Sequence, residues 1–162
     1  MHAGRSIIVT QTIDGFDAFY AEQRDRAVEL AWVLTHDRSL CEDVAHDAFA
    51  AVYARFDGLA DPVRYLRRAV VNGVYDRSRR TSRERRRLRL VSSGETAVLA
   101  GPTGGVADIV AALPLKQRTV VVLRFWGGLT DGEIAEVMSM RPSSVRSMLS
   151  RAMARLRLEI SA

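Results

Sequence analysis

Hydrophobic residues recur along this chain at steps of three and four, the spacing that gathers them on one face of an α-helix. The clearest example joins Leu40, Val44, Ala48, Val52 and Phe56, each four residues after the last. No segment alternates apolar and polar residues between turn signals, as a half-buried strand would. The pattern therefore predicts an all-α protein.

The hydrophobic stripes fall into two helical blocks, at residues 14–80 and 106–160. In the first block, Asp14 is the expected N-cap of the opening helix, and Pro62 is well placed as the first residue of the third helix. Residues 1–13 are expected to form an N-terminal tail.

Residues 81–105, between the blocks, are first basic and then rich in Gly, Ser and Thr, a composition typical of linkers. The basic part belongs to a run of eight arginines against one glutamate over residues 77–89. Such a run repels itself unless it meets a polyanion, so it indicates either an arm that faces nucleic acid or a solvated linker. The sequence thus predicts two small helical domains joined by a flexible linker.

The helix that begins at Pro62 is predicted to have an almost purely cationic outer face. Arginines bind phosphates, an amide can read a base edge, and an aromatic ring can stack on an unpaired base. A merely solvated face would mix charges of both signs. The face therefore suits opened or single-stranded DNA, and it comprises Arg64, Arg67, Arg68, Val71, Asn72, Tyr75, Arg79 and Arg80.

The second block contains a capped helix, a short turn and a basic helix. Thr130 is the expected N-cap, and Glu133 completes a capping box with it. Ala135 is small enough for a close helix crossing, and "SMRP" supplies a turn of the length found in helix-turn-helix motifs. The outer face of the second helix suits a DNA groove, although a solvated helix of a bundle remains the alternative. That face comprises Arg141, Ser143, Ser144, Arg146, Ser147, Ser150 and Arg151.

Other classes of function find little support in the sequence. No apolar run approaches the roughly 20 residues that span a bilayer, and no signal-peptide core is present, so we expect a cytoplasmic protein without direct membrane insertion. The single cysteine, Cys41, rules out an internal disulfide, and its spacing from His46 does not suit a metal site. We find no nucleophile–base pair and no glycine-rich phosphate loop. No catalytic residue, metal or cofactor is therefore predicted.

Three segments together resemble a known family. "LCEDVAHDAFAAVYARF" is similar to the sigma-factor segment that docks on the clamp helices of the largest RNA polymerase subunit. "DPVRYLRRAVVNGVYDRSRR" resembles the helix that reads the −10 promoter element. "ALPLKQRTVVVLRFWGGLTDGEIAEVMSMRPSSVRSMLSRAMARLR" resembles the −35-binding domain, and its "LP..QR.V..LR" lead-in is not a general helix-turn-helix feature. The chain thus resembles a bacterial RNA polymerase sigma factor of the extracytoplasmic-function (ECF) group, in the sigma-70 family.

The resemblance implies that residues 14–80 form a region 2-like domain, which binds core RNA polymerase and the −10 element. Core polymerase would be contacted by Asp43, His46 and Asp47, although the helix dipole alone would also favour acids in these first turns. The loop at residues 57–61 would hold a flipped base. The −10 element would meet Arg68, Asn72, Tyr75, Arg79 and Arg80.

Residues 106–160 would form a region 4-like domain that binds the −35 element through the outer face of its second helix. Core RNA polymerase and promoter DNA are the implied partners. Many members of the family also take an inhibitory anti-sigma factor, which this sequence does not itself reveal. Three residues depart from the family pattern: His46 replaces a glutamine, Ser139 a glycine in the turn, and Arg141 a serine at the N-cap of the recognition helix.

The implied function is that of an alternative sigma factor, which lends promoter recognition and DNA opening to the polymerase and performs no chemistry itself. Two other functions remain open. A stand-alone helix-turn-helix regulator would explain the second block but would leave the acidic helix and the Asn72 and Tyr75 face without a purpose. A sigma-like paralogue would bind polymerase without opening promoters.

Overall fold

A computed structural model describes residues 4–89 and 105–161, with side chains for residues 15–88 and 105–161. Every regular element in these ranges is helical, as the sequence predicted. The α-helices in chain order are α1 Gly4–Thr35, α2 Arg38–Tyr53, α3 Pro62–Arg89, α4 Val106–Ala111, α5 Leu115–Val121, α6 Asp131–Met138 and α7 Pro142–Ser161. A 3-10 turn, Phe56–Gly58, precedes α3, and a π-helical turn, Val122–Trp126, continues α5.

The chain divides into two compact units, Met1–Gly73 and Val74–Ala162. The division falls inside α3, which extends past the predicted first block to Arg89, so residues 81–89 of the predicted linker are helical. The part of that linker at residues 90–104 lies outside the described residues. The domain limits predicted from the sequence therefore stay predictions.

The first helix begins earlier than its expected cap. α1 runs through Asp14 back to Gly4, so the prediction that Asp14 is an N-cap is wrong. No proline lies among residues 4–14, and the backbone hydrogen bonds of the helix can continue through this segment without interruption.

The core of the first unit lies between α1 and α2. Leu30 and Leu34 of α1 and Val44 and Val52 of α2 are almost completely buried. The stripe predicted for α2 is thus confirmed at its centre, whereas its two ends, Leu40 and Phe56, are half-buried. The carboxylate of Asp37 accepts a hydrogen bond from the backbone N–H of Leu40 at 3.0 Å and so caps α2. The acidic residues of α2 are thereby left on its outer face.

A cluster of aromatic rings holds the chain after α2 against α1. The ring of Phe16 meets the ring of Phe56 edge-on at 5.4 Å and that of Tyr53 at 4.9 Å. Tyr20 contacts Phe49 in the same manner at 4.7 Å. Edge-to-face aromatic pairs stabilise beyond the area that they bury. The cluster therefore fixes the start of the loop at residues 57–61.

α3 begins at Pro62, as predicted, and the carboxylate of Asp61 caps it by accepting the N–H of Arg64 at 2.9 Å. Leu66 and Val70 on the predicted stripe are buried. Val71 is also fully buried, so its placement on the cationic outer face is wrong. An apolar face wider than about 100° takes in two consecutive positions of a helix, and here it includes both valines.

In the second unit, α5, α6 and α7 pack around a shared apolar core. Val120 of α5, Ile134 and Val137 of α6, and Val145 and Ala152 of α7 are completely buried. Helical periodicity in the sequence predicts seven inward positions in these two helices. Six of them are buried, namely Ile134, Ala135, Met138, Val145, Ala152 and Leu156, whereas the seventh, Leu149, is half-buried. The short α4 packs on α7 through its own apolar residues.

The two glycines after the π-helical turn end α5 and its continuation, as predicted. The N–H of Gly127 donates to the carbonyl of Val122 at 2.9 Å, and the N–H of Leu129 donates to the carbonyl of Leu123 at 3.0 Å. A Cβ atom on Gly127 would lie 2.7 Å from the carbonyl oxygen of Leu123, closer than such atoms approach. Gly128 has a φ of +65°, where glycine is favoured. This bend positions the start of α6.

We predict that Gly127→Ala lowers the free energy of unfolding of the second unit by about 1–3 kcal/mol, because the added methyl group overpacks the bend. Urea unfolding of the full chain, followed by Trp126 fluorescence in a Trp32→Phe background, measures the loss. Gly132→Ala is the matched control, since its Cβ would meet only the Thr130 hydroxyl at 4.0 Å. Equal effects of the two substitutions would contradict the argument.

Candidate nucleic-acid interface

The helix-turn-helix begins with the capping box that the sequence predicted. The Thr130 hydroxyl accepts a hydrogen bond from the backbone N–H of Glu133 at 3.3 Å, and a carboxylate oxygen of Glu133 accepts the N–H of Thr130 at 2.8 Å. Two otherwise unpaired donors at the N-terminus of α6 are satisfied in this way. The start of α6 is therefore fixed relative to the bend before it.

Ser139 ends α6 in the left-handed conformation, with φ 53° and ψ 49°. The backbone N–H of Met140 then donates to the carbonyl of Ala135 at 2.9 Å, which reverses the chain toward α7. Glycine is the residue that adopts this conformation without steric cost. The left-handed geometry explains why glycine is favoured at this point of the turn, where this chain has Ser139.

The N-terminal half of α7 presents a polar face beside the turn. A shallow, open depression of about 480 Å³ lies on this face and is lined mainly by hydroxyl groups, two methionines and one guanidinium. The residues that line it are Met140, Ser143, Ser144, Ser147, Met148 and Arg151. Because these groups donate hydrogen bonds or offer apolar contact, the depression can accept phosphate oxygens and base edges.

All the residues predicted to meet the −35 element are exposed at the start of α7 or just before it. Val145, between them, is completely buried and points into the core. The structure thus brings together the polar residues as one surface, which comprises Arg141, Ser143, Ser144, Arg146, Ser147, Ser150 and Arg151.

Asp131 links this surface to the bend before α6, which the sequence analysis did not predict. Its carboxylate oxygens lie 4.0 Å from a guanidinium nitrogen of Arg146 and 3.7 Å from one of Arg124. Arg124 also donates to the carbonyl of Leu129 at 3.1 Å. Exposed ion pairs contribute little to stability, and at 4.0 Å the contact between Asp131 and Arg146 is longer than a hydrogen bond. The only feature of the sequence that could have indicated these contacts is the presence of an acidic residue directly after the N-cap of α6.

The conserved-looking arginine of the "LP..QR" lead-in has a structural role. Burial lowers the pKa of Arg118, whose guanidinium donates to the carbonyls of Ala111 and Leu113. The carbonyl of Ala111 is at the end of α4, where it lacks a helical partner, and that of Leu113 lies in the turn before α5. Arg118 therefore ties α4 to α5 and does not belong to the exposed surface.

Most of the residues predicted to meet the −10 element are exposed along α3. Arg68, Asn72, Arg79 and Arg80 lie on the outside of the helix. Arg79 forms an ion pair with Asp76 one turn earlier, an interaction that phosphate could replace because both side chains are more than half exposed.

Tyr75 differs from its neighbours on this face. Its hydroxyl oxygen is buried and has no hydrogen-bond partner among the described residues. Burial raises the pKa of Tyr75, an effect that the nearby Thr119 side chain only partly offsets. The ring is half-buried, so it offers less surface for stacking on a base than the sequence suggested.

The residues predicted to contact core polymerase form an exposed acidic surface on α2. Asp43, His46 and Asp47 all face outward. Glu42, beside them, is paired with Arg24 of α1 at 3.5 Å. The surface therefore offers carboxylates to a basic partner, in agreement with the pattern read from the sequence.

Within the described ranges, no group of three or more His, Cys, Asp or Glu side chains could hold a metal ion. Cys41 is buried, and its Sγ lies 3.1 Å from the carbonyl oxygen of Arg38. No helix among the residues searched is long and apolar enough to cross a membrane.

Comparison with known proteins identifies the family of the chain. The family model for sigma-70, region 4, matches residues 105–156. An RNA polymerase sigma-E factor of Streptomyces avermitilis is 31% identical over 151 residues, which span 90% of this chain and 84% of that protein. The chain belongs to the ECF sigma factors. A second relative, the RNA polymerase sigma-E factor of Streptomyces coelicolor, is 29% identical over 161 residues, 91% of this chain and 86% of that protein.

Solved structures share the fold of this ECF sigma factor. Sigma factor RpoE of Bartonella quintana, solved with anti-sigma factor NepR, has a TM-score of 0.74 at 18% identity and covers 91% of this chain and 98% of its own. CnrH, solved with the cytosolic domain of CnrY, has a TM-score of 0.65 at 22% identity and covers 96% of both chains. At these identities the likeness shows the fold alone.

The family resemblance stated from the sequence is thus confirmed. The protein is an alternative sigma factor that directs transcription initiation, with two helical domains. The stand-alone regulator and the paralogue without opening activity are not favoured.

We predict that Ser139→Gly raises the free energy of unfolding of the second unit by up to about 1 kcal/mol, because it relieves a left-handed conformation. Thermal unfolding of the full chain, followed at Trp126 in a Trp32→Phe background, tests this. Ala154→Gly, at an exposed position inside α7, is the control and is expected to cost about 1 kcal/mol. A loss of stability in Ser139→Gly as large as in the control would contradict the strain argument.

Proposed function

We propose that this ECF sigma factor binds its partners through three separate exposed surfaces. The acidic surface of α2 binds core RNA polymerase, the outer face of α3 binds the opened −10 element, and the start of α7 binds the −35 element. The observation that supports this most is the segregation within each helix, where polar residues stand outward and the apolar stripe is buried.

On α3, Asn72 is the residue that reads a base, and the arginines around it hold phosphates. A side-chain amide offers both a donor and an acceptor to a base edge, whereas guanidinium groups bind phosphate without regard to sequence. Arg68, Arg79 and Arg80 are placed on the same exposed side of the helix as Asn72 or next to it. The half-buried Tyr75 then contributes the edge of its ring more than its hydroxyl.

On α7, Arg146 and Arg151 are the candidates for guanine contacts, because a guanidinium can donate to both acceptors of a guanine in the major groove. The hydroxyls of Ser143, Ser144 and Ser147 hold phosphate or a base edge. Asp131 contacts Arg146 from the first turn of α6. This arrangement fits a recognition helix whose N-terminal residues enter the groove.

On α2, Asp43 and Asp47 provide negative charge to the polymerase, and His46 stands between them on the exposed surface. Electrostatic complementarity of this kind speeds association and suppresses wrong partners. Core polymerase, promoter DNA and an anti-sigma factor are the proposed partners, the last because sigma factor RpoE of Bartonella quintana was solved with anti-sigma factor NepR. The protein works in the cytoplasm and has no enzymatic step of its own.

We predict that Asn72→Ala and Arg146→Ala fail at different stages of initiation. Asn72→Ala is expected to leave core binding and duplex affinity near normal but to lower promoter opening about fivefold or more, because a base contact of about 1–3 kcal/mol is lost. Arg146→Ala is expected to weaken duplex binding about fivefold or more for the same reason. Permanganate reactivity of −10 thymines measures opening, and fluorescence anisotropy of holoenzyme with promoter duplex measures binding.

Each of these two variants serves as the control for the other, and Arg26→Ala, an exposed arginine of α1, controls for loss of charge. Normal opening by Asn72→Ala would remove α3 from the −10 site. Equal loss of duplex binding in Arg26→Ala and Arg146→Ala would remove α7 from the −35 site.

A further inference from the structure

The helix that carries the −10 face does not end there. α3 continues without a break to Arg89, past the last arginine predicted to meet the −10 element, Arg80. All side chains at residues 81–88 are exposed. We refer to residues 81–89 as the basic arm.

The basic arm carries almost unopposed positive charge. It contains five arginines and only one acidic residue, Glu84. Among the described residues, Arg83, Arg85, Arg86 and Arg87 make no ion pair or hydrogen bond with another side chain. On a solvated helix such charges are commonly paired with acidic residues four positions away. These four arginines lack such pairs and can therefore bind a polyanion.

Helical periodicity assigns the arginines of the arm to sides. At 3.6 residues per turn, Arg83, Arg86 and Arg87 lie on the side of α3 that bears Asn72, whereas Arg85 lies on the opposite side. The rise of 1.5 Å per residue puts Arg86 about 21 Å along the axis from Asn72. That distance corresponds to about six phosphates of one DNA strand at 3.4 Å each.

The side chains of the arm are suited to binding phosphate groups, and they are not suited to reading bases or to lying in a lipid surface. The arm contains no amide or aromatic side chain, which base reading and stacking on single strands would use. Leu88 is its only large apolar residue, so it lacks the apolar face with which a helix lies in a membrane surface. Guanidinium groups alone bind the DNA backbone without sequence preference.

We propose that the basic arm binds the phosphate backbone of duplex DNA beside the −10 element, on the side toward the −35 element, through Arg83, Arg86 and Arg87. The inference rests on the proposed function, in which α3 reads the −10 element and the chain beyond the arm leads to the domain that reads the −35 element. The arm adds affinity and salt dependence to promoter binding, and it adds no sequence preference.

The test measures the affinity of holoenzyme for a promoter duplex over roughly 50–200 mM salt, a range in which phosphate contacts lose much of their strength. Each phosphate contact contributes about −0.9 to the slope of log affinity against log salt. The variant Arg83→Gln/Arg86→Gln/Arg87→Gln is expected to make that slope shallower by about 2–3, with the same preference among promoter sequences. Arg85→Gln, on the opposite side of the same helix, is expected to leave the slope unchanged, because Arg85 makes no phosphate contact in this arrangement.

An unchanged slope in the triple variant would overturn the proposal. So would an equal change in slope per arginine for Arg85→Gln, because the effect would then be one of net charge. Weaker binding of the triple variant to core polymerase, with the slope unchanged, would assign the arm to the polymerase and also overturn it. Failure of the proposed function is seen separately, as loss of promoter opening by the unaltered protein, while the slope still reports on the arm.

Discussion

The structure depends on burying apolar side chains in a chain dense with arginine while leaving the guanidinium groups in water. An unpaired charge taken into the interior costs far more than a buried methyl group returns. Helices with one apolar face meet this demand, because each turn can bury one side and solvate the other. In α3, Leu66 and Val70 are buried within one turn of the exposed Arg68. Arg118 is half-buried, and its guanidinium donates hydrogen bonds to the carbonyls of Ala111 and Leu113.

The same demand produces the three surfaces proposed to bind polymerase and DNA. Once the apolar stripe of a helix is buried, its arginines, serines and amides are left together on the opposite side, where DNA can reach them. α7 shows this most clearly, since Val145 and Ala152 anchor the helix while Arg146 and Ser147 stand outward between them. The capping box at Thr130 and the bend at Gly127 then set where that helix begins relative to the rest of its unit. Promoter recognition in this account is a consequence of how the helices are stabilised.

What could be predicted from the sequence was local. The helical starts at Pro62 and Thr130 follow from residues within one turn, and the buried stripes follow from helical periodicity. Asp14 was misassigned because a good capping residue does not cap when the chain before it can remain helical. Val71 and Tyr75 depend on what packs against α3, which periodicity within one helix does not contain. The contact between Asp131 and Arg146 likewise lies between two helices, and it depends on the turn at Ser139 that joins them.

The most direct test of the account uses the purified full chain, bacterial core RNA polymerase and a pool of promoter fragments from the source genome. Transcript 5′ ends are mapped with and without the protein. The account predicts defined start sites that require the protein and share two upstream motifs, one near −10 and one near −35. Tight binding of the protein to duplex DNA, with neither core binding nor defined start sites, would contradict it.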